Sequence, residues 1–193
     1  MLSIMLSPEQ LESALARGAV GCPGCGGRLA RWGYARSREV RLRSGVRSLR
    51  PRRTSCRGCG ATHVLLPAWS VVRRRDGAEV IGEALALAAG GDGHRRIACR
   101  LDRPAGTVRG WLRAARARAE SLRACGTRWI VTLELDELRA VTPAGSPLGD
   151  AVEAIMLAVR AWVLRFGALN ASPWEQAVLL TGGRLLHGGP LPP

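Results

Sequence analysis

Cys22-Pro23-Gly24-Cys25-Gly26-Gly27 and Cys56-Arg57-Gly58-Cys59-Gly60 decide how this chain is read. Each stretch places two thiols two residues apart and follows them with glycine. That spacing lets a tight turn aim both sulfurs at one ion while backbone N–H groups curl round the thiolates. Two such turns supply the four soft ligands of a closed tetrahedral site, and sulfur-only ligation favours Zn2+ over oxygen-seeking cations. The competing reading is a pair of redox CxxC motifs, but one motif suffices for redox work and normally sits where a strand enters a helix. Here both turns flank a strand-like, arginine-rich stretch. The expectation is a structural Zn2+ held by Cys22, Cys25, Cys56 and Cys59, with no open position for catalysis.

Working outward, Leu29–Gly33 and Val40–Arg43 read as strands, the second with Val40 and Leu42 on one side and Arg41 and Arg43 on the other. Ser44-Gly45 marks a turn, Val46–Arg50 a return strand, and Thr62–Pro67 finishes the ribbon. The arginines either lie along a phosphate backbone or keep a small ribbon soluble. His63 is expected to hydrogen-bond near the thiolates rather than ligate, and Trp69 to anchor packing. Upstream, Ser7-Pro8-Glu9-Gln10 is a capping-box start for a short helix with Leu11 and Leu15 inward, ending at Gly18.

Beyond Arg73-Arg74-Arg75, a basic joint that can touch phosphate, the hydrophobic period becomes helical. Val80, Ile81 and Leu85 mark a first helix, and Ile97, Ala98 and Leu101 a second over 94–101. After Asp102-Arg103-Pro104 a third is expected from about Ala105 to Arg123, with Val108, Trp111, Leu112 and Ala115 inward. Three helices, the last two joined by a short turn, predict a helix-turn-helix. Gly106 and Thr107 then stand near the start of the recognition helix, and Arg109, Gly110, Arg113 and Arg116 on its outer face, where arginine can meet guanine or phosphate. Asp102 and Arg103 depart from the glycine and apolar residue usual in that turn. Gly106 and Gly110 each cost about 1 kcal/mol against alanine inside a helix. Cys99 and Cys125 are expected to pack as small apolar residues.

Past Cys125 the chain turns acidic and apolar. Trp129–Leu133 fits either a strand or a helix, and Thr142–Pro147 reads as a linker. Val152, Ile155, Met156, Val159, Val163 and Phe166 form a helical stripe across 148–166, and Ser172-Pro173-Trp174-Glu175 opens a last short helix. The stripe either completes a monomer core or pairs with its twin in a homodimer.

Composition supports a polyanion partner. All 29 cations of the 193 residues are arginine, and the net charge is +14. Residues 28–128 hold 24 arginines against seven acids, a net of +17, and the remainder holds five against eight, a net of −3. Met1–Leu6 is too short and lacks the basic leader of a secretion signal, and no apolar run is long enough for a bilayer. Free metal-binding thiols fit a reducing cytoplasm, with nucleoid association if DNA is bound.

On CPGCGGRLARWGYAR, CRGCG, ATHVLLPAW, GHRRIACRL and GTVRGWLRAARARAE, across residues 22–120, the chain resembles uncharacterised zinc-ribbon plus helix-turn-helix proteins of high-GC bacteria. These are akin to the N-terminal DNA-binding regions of insertion-sequence transposases. The resemblance implies DNA binding, with the four cysteines as zinc ligands and Thr107–Arg113 in the second helix of the motif. The expected fold is mainly α with a small β zinc ribbon. Its parts are a lead-in helix (1–20), a four-cysteine ribbon (21–68), a three-helix helix-turn-helix (76–124) and a helical C-terminal segment (128–193). The expected partner is duplex DNA, with no membrane and no small-molecule substrate. Two rivals remain: a strand-cutting transposase built on acids such as Asp136, Asp150 and Glu175, and a ribbon that contacts RNA or protein through Trp32 and Tyr34.

Overall fold

The structure, a computed structural model, describes residues 1–133 and 143–191. The chain runs β1 (Leu2–Ile4), α1 (Pro8–Ala16), β2 (Leu29–Tyr34), β3 (Arg38–Leu42), β4 (Gly45–Leu49), β5 (Arg52–Cys56) and β6 (Thr62–Pro67). It continues through α2 (Ala78–Ala89), α3 (His94–Leu101), α4 (Ala105–Arg116), α5 (Ala119–Thr132), α6 (Pro147–Phe166) and α7 (Pro173–Leu180). The described chain is therefore mainly helical with a small β part.

The strands form where the sequence alternates, but they are not one long hairpin. β2 runs antiparallel to β5 with Leu29 opposite Cys56, which returns the second thiol pair beside the first. β3 and β4 are an excursion between them, a separate hairpin closed at Arg43-Ser44, where Leu42 faces Gly45. The larger sheet has the order β1-β6-β5-β2. Its first strand comes from the segment read only as a short apolar lead. Leu2 lies opposite Leu65, parallel to β6. Three residues carry no alternation to read; what places them is the unpaired edge that β6 would otherwise expose.

α1 starts as its capping box predicts. The Ser7 hydroxyl accepts from the Gln10 N–H at 3.2 Å and the Gln10 side chain accepts from the Ser7 N–H at 2.9 Å. Leu11 and Leu15 pack on Leu29, Leu65, Cys22 and Cys56, so the thiols belong to a small apolar core of their own.

The helix expected over Ala105–Arg123 is two helices. α4 stops at Arg116 and α5 begins at Ala119, with Arg118 between them at φ −119°. The apolar period continues through Val108, Trp111, Leu112, Ala115, Ala119 and Leu122, all buried, so the turn is invisible in the pattern. The Arg118 guanidinium braces it by donating to the Gly189 carbonyl at 3.2 Å. Trp129–Leu133, open between strand and helix, closes α5.

α5 packs along α6 in parallel: Gly126 abuts the backbone of Ala154, and Leu133 packs with Ala161. α6 buries Ile155 and Val159 together with Ala151, Ala154, Ala158 and Ala161, whereas Phe166 stays exposed. One core spans Val71 to Leu186 and takes side chains from α2 to α7. Cys125 is buried, as expected; Cys99 is exposed on the outer side of α3, a correction to its reading as a packed residue.

The β part and the helical part are joined at Asp76. Its carboxylate, 2% exposed, receives Arg41 of β3 and Arg103 of the α3–α4 turn, each at 2.7 Å. Arg103 also donates to the carbonyls of Leu101 and Asp102, and Asp102 adopts the left-handed conformation (φ 51°) that the turn requires. The two residues that departed from the usual turn pattern thus build the joint. A carboxylate carried this far from water persists only because two guanidinium groups meet it.

Candidate metal centre and basic face

The two cysteine turns are copies of one another. The Cys22 N–H donates to the Gly27 carbonyl and the Gly26 N–H to the Cys22 carbonyl, at 2.8 and 2.9 Å. The Cys56 N–H and Ala61 carbonyl, with the Gly60 N–H and Cys56 carbonyl, repeat the pattern at 2.8 and 3.1 Å. Gly26 (φ 71°) and Gly60 (φ 72°) close the turns in the left-handed region, which explains the glycine after each pair. A Cβ on Gly27 would press on both Cys56 Sγ and Cys25 Sγ at little over 3 Å, so that glycine makes room for the sulfurs.

The four Sγ atoms lie within 4.8 Å of one another, with Cys22–Cys59 at 3.8 Å and Cys25–Cys56 at 3.4 Å. Metal–sulfur bonds of about 2.3 Å in a tetrahedron require sulfurs about 3.8 Å apart, so the donor set fits a metal ion of that kind. Backbone donation from Cys59 and Gly58 outweighs burial and holds the Cys56 thiol down at about 6. Donation from the Gly27 N–H would lower Cys25, but the neighbouring sulfurs of Cys56, Cys59 and Cys22, with burial, push it up to about 12. Four thiolates cannot stand together without a cation, and a bound dication resolves that repulsion. His63 Nε2 lies 3.4 Å from Cys22 Sγ, a neighbour outside the four-sulfur set.

The residues expected to meet DNA are mostly outward. On α4, Arg109, Arg113 and Arg116 are exposed, Gly106 is exposed, and Thr107 and Gly110 are half-buried. Trp111, at 2% exposure, is core. Among the described residues no carboxylate pairs with Arg109, Arg113 or Arg116, whereas Arg31, Arg41, Arg43, Arg52, Arg96, Arg100, Arg103 and Arg123 are all paired. Among the described residues a Cβ on Gly106 or Gly110 would meet nothing within 4 Å, so no packing contact there accounts for either glycine. Of the basic joint, Arg73 and Arg75 are exposed, while Arg74 is half-buried and donates to the Leu186 carbonyl.

A second basic surface lies on the ribbon. Trp32 is 57% and Tyr34 45% exposed on β2, an edge strand; Arg50 and Arg52 stack on Tyr34 at 4.5 and 4.4 Å. Tyr34, Arg47, Arg50, Arg52 and Trp69 line an open cleft of about 940 Å³ together with residues of α1. Of the acids weighed for strand cutting, Asp136 lies outside the described residues. Asp150 accepts from the Ala144 N–H and Glu175 completes the cap of α7, both ordinary helix-end duties. Among the described residues no helix is long and apolar enough to cross a membrane. Sequence reasoning missed Arg103 and Asp76 as partners, because no spacing rule links residues brought together from three segments. Compared with family models, curated proteins and solved structures, the chain matches none of them.

Proposed function

We propose that the protein is a zinc-stabilised reader of duplex DNA, a regulator or a transposase-derived binding protein, with α4 as the recognition helix. The observation that carries this reading is the outer face of α4, where Arg109, Arg113 and Arg116 stand exposed, without acidic partners among the described residues, beside two glycines that none of those residues crowds. Guanidinium groups left unpaired on one helix face are available to phosphate and guanine, and bare glycine backbone admits a close neighbour. The short α3–α4 turn, clamped through Arg103 to Asp76, supports a helix-turn-helix held at a set angle to a zinc ribbon. In this reading Cys22, Cys25, Cys56 and Cys59 hold Zn2+ as a structural ion, since four thiolates close its coordination.

The test is selection from random duplex DNA by the zinc-loaded protein at physiological salt, where purely electrostatic binding is suppressed. An enriched motif, lost in Arg109→Ala or Arg113→Ala, is the expected outcome. Binding without enrichment that collapses as salt rises would reduce the protein to a polyanion coat. A second reading, single-stranded RNA laid on the ribbon, is favoured by exposed Trp32 and by half-exposed Tyr34 with Arg50 stacked on its ring. Competition between duplex DNA and RNA separates the two.

A further inference from the structure

Positive charge also gathers where three distant segments meet. Arg73 and Arg74 come from the stretch between β6 and α2, Arg118 from the α4–α5 turn, and Arg184 and His187 from the segment after α7. A cavity of about 220 Å³ opens there, lined by Arg73, Arg184 and His187 with Met1, Val72, Gly182, Gly188 and Gly189, while Arg74 and Arg118 lie outside the lining but near enough for their charge to reach His187. Arg73 sits there in the left-handed conformation at φ 57°, an uncommon backbone state for arginine. Among the described residues none of the four arginines pairs with a carboxylate, and three of them donate to backbone carbonyls. Arg74 donates to Leu186, Arg118 to Gly189 and Arg184 to Pro190. The shielded Nε atoms of Arg74 and Arg118 have no hydrogen-bond partner among the described residues. Burial, and then the field of Arg73, Arg118, Arg74 and Arg184, lowers the His187 imidazole below its ordinary value.

Folding has therefore placed two guanidinium groups and an imidazole round one small cavity, with two more guanidinium groups close by and no carboxylate paired with any of them among the described residues. Carbonyl oxygens hold the arginines in position but neutralise nothing. We propose that this cavity is a binding site for a single phosphate group, gripped by Arg73, Arg184 and His187, with Arg74 and Arg118 supplying charge from behind. Guanidinium forks match phosphate oxygens. The volume suits one phosphate with a little water and lies below the range typical of sites that enclose a whole small molecule. Arg73 and Arg74 were read as a basic joint that can touch phosphate; Arg184 and His187 add a half-open cavity beside that run. It stands whether or not α4 reads DNA. The phosphate can be a backbone group of duplex DNA or a free phosphate ion.

The probe is inorganic phosphate added to the full-length, zinc-loaded protein at fixed ionic strength, with chloride as control. Phosphate is expected to raise the melting temperature and to move the His187 titration upward, because a bound anion favours the imidazolium. Arg184→Gln should lose both responses. Without phosphate it should melt no lower than the parent, since it removes repulsion rather than an ion pair. Arg73→Gln serves as the second variant and should behave alike. Loss of about one unit from the salt slope of duplex binding in Arg184→Gln would identify the source as DNA backbone. An unchanged slope with intact phosphate binding in the parent would identify free phosphate. A parent that responds to phosphate no more than to chloride, or no more than its variants, overturns the site. Failure of Arg109→Ala to affect DNA binding would instead strike only the recognition helix.

Discussion

At the scale of single residues, the cysteines and Asp76 carry the most consequence. The core that holds Cys22 and Cys56 has only four other fully buried residues, Leu11, Leu15, Leu29 and Leu65, too few to keep a ribbon folded without a cross-link. Cys56→Ser should therefore lower the metal content and unfold residues 22–66, read by metal stoichiometry and by amide exchange over the strands. An unchanged stoichiometry would defeat the metal assignment. Asp76→Asn should lower stability by about 3 kcal/mol, because Arg103 is left shielded and without its partner. Arg41 lies 38% exposed and can turn to water, which keeps the cost near the lower end of the range for broken buried pairs. Denaturant unfolding measures it. The cysteine spacing was legible because its ligands sit at fixed offsets; the Asp76 joint was not, because its three members lie far apart in sequence.

At the scale of elements, α4 separates a buried apolar face from an exposed basic one within about three turns. Trp111 fills the core beside Val108 and Leu112, so Trp111→Ala should cost about 3–5 kcal/mol through the cavity it leaves. Arg113→Ala, on the exposed face, should leave the melting point nearly unchanged and weaken duplex binding. Gly110→Ala offers a sharper contrast. An added methyl meets nothing within 4 Å, so the variant should gain about 1 kcal/mol from helix propensity. If a DNA backbone comes close at that point, the same methyl should lower affinity, measured by fluorescence anisotropy. The starts of α1 and α7 were plain in the sequence, since Ser7 and Ser172 announce capping boxes that both form. The break between α4 and α5 was hidden, because apolar periodicity runs on through Ala117 and Arg118 and neither residue is a helix breaker.

At the scale of the whole molecule, α2 to α4 share their core with α5 to α7. Trp174 of α7 lies against Gly82 of α2, where a Cβ would strike its ring, and α6 packs on α2 and α4. A fragment of residues 76–124 alone would expose Ile81, Leu85, Val108 and Leu112 on the side these helices cover. It should show little cooperative unfolding by circular dichroism, whereas the full chain should unfold as one helical unit. Chelation should remove the ribbon's order before the helical signal falls, since the larger core contains no thiol ligand. The apolar stripe of α6, open between monomer core and dimer, buries Ile155 and Val159 within the chain and leaves Phe166 outside. By itself the sequence determined the four-cysteine cluster, the alternating strands, the capped starts of α1 and α7 and the basic stretch, because each is written in local spacing or composition. Tertiary structure alone decided the parallel strand β1, the Asp76 clamp, the common core of six helices and the arginine-lined cavity. Those depend on which distant segments touch, and burial and charge settle that only when the whole chain is packed.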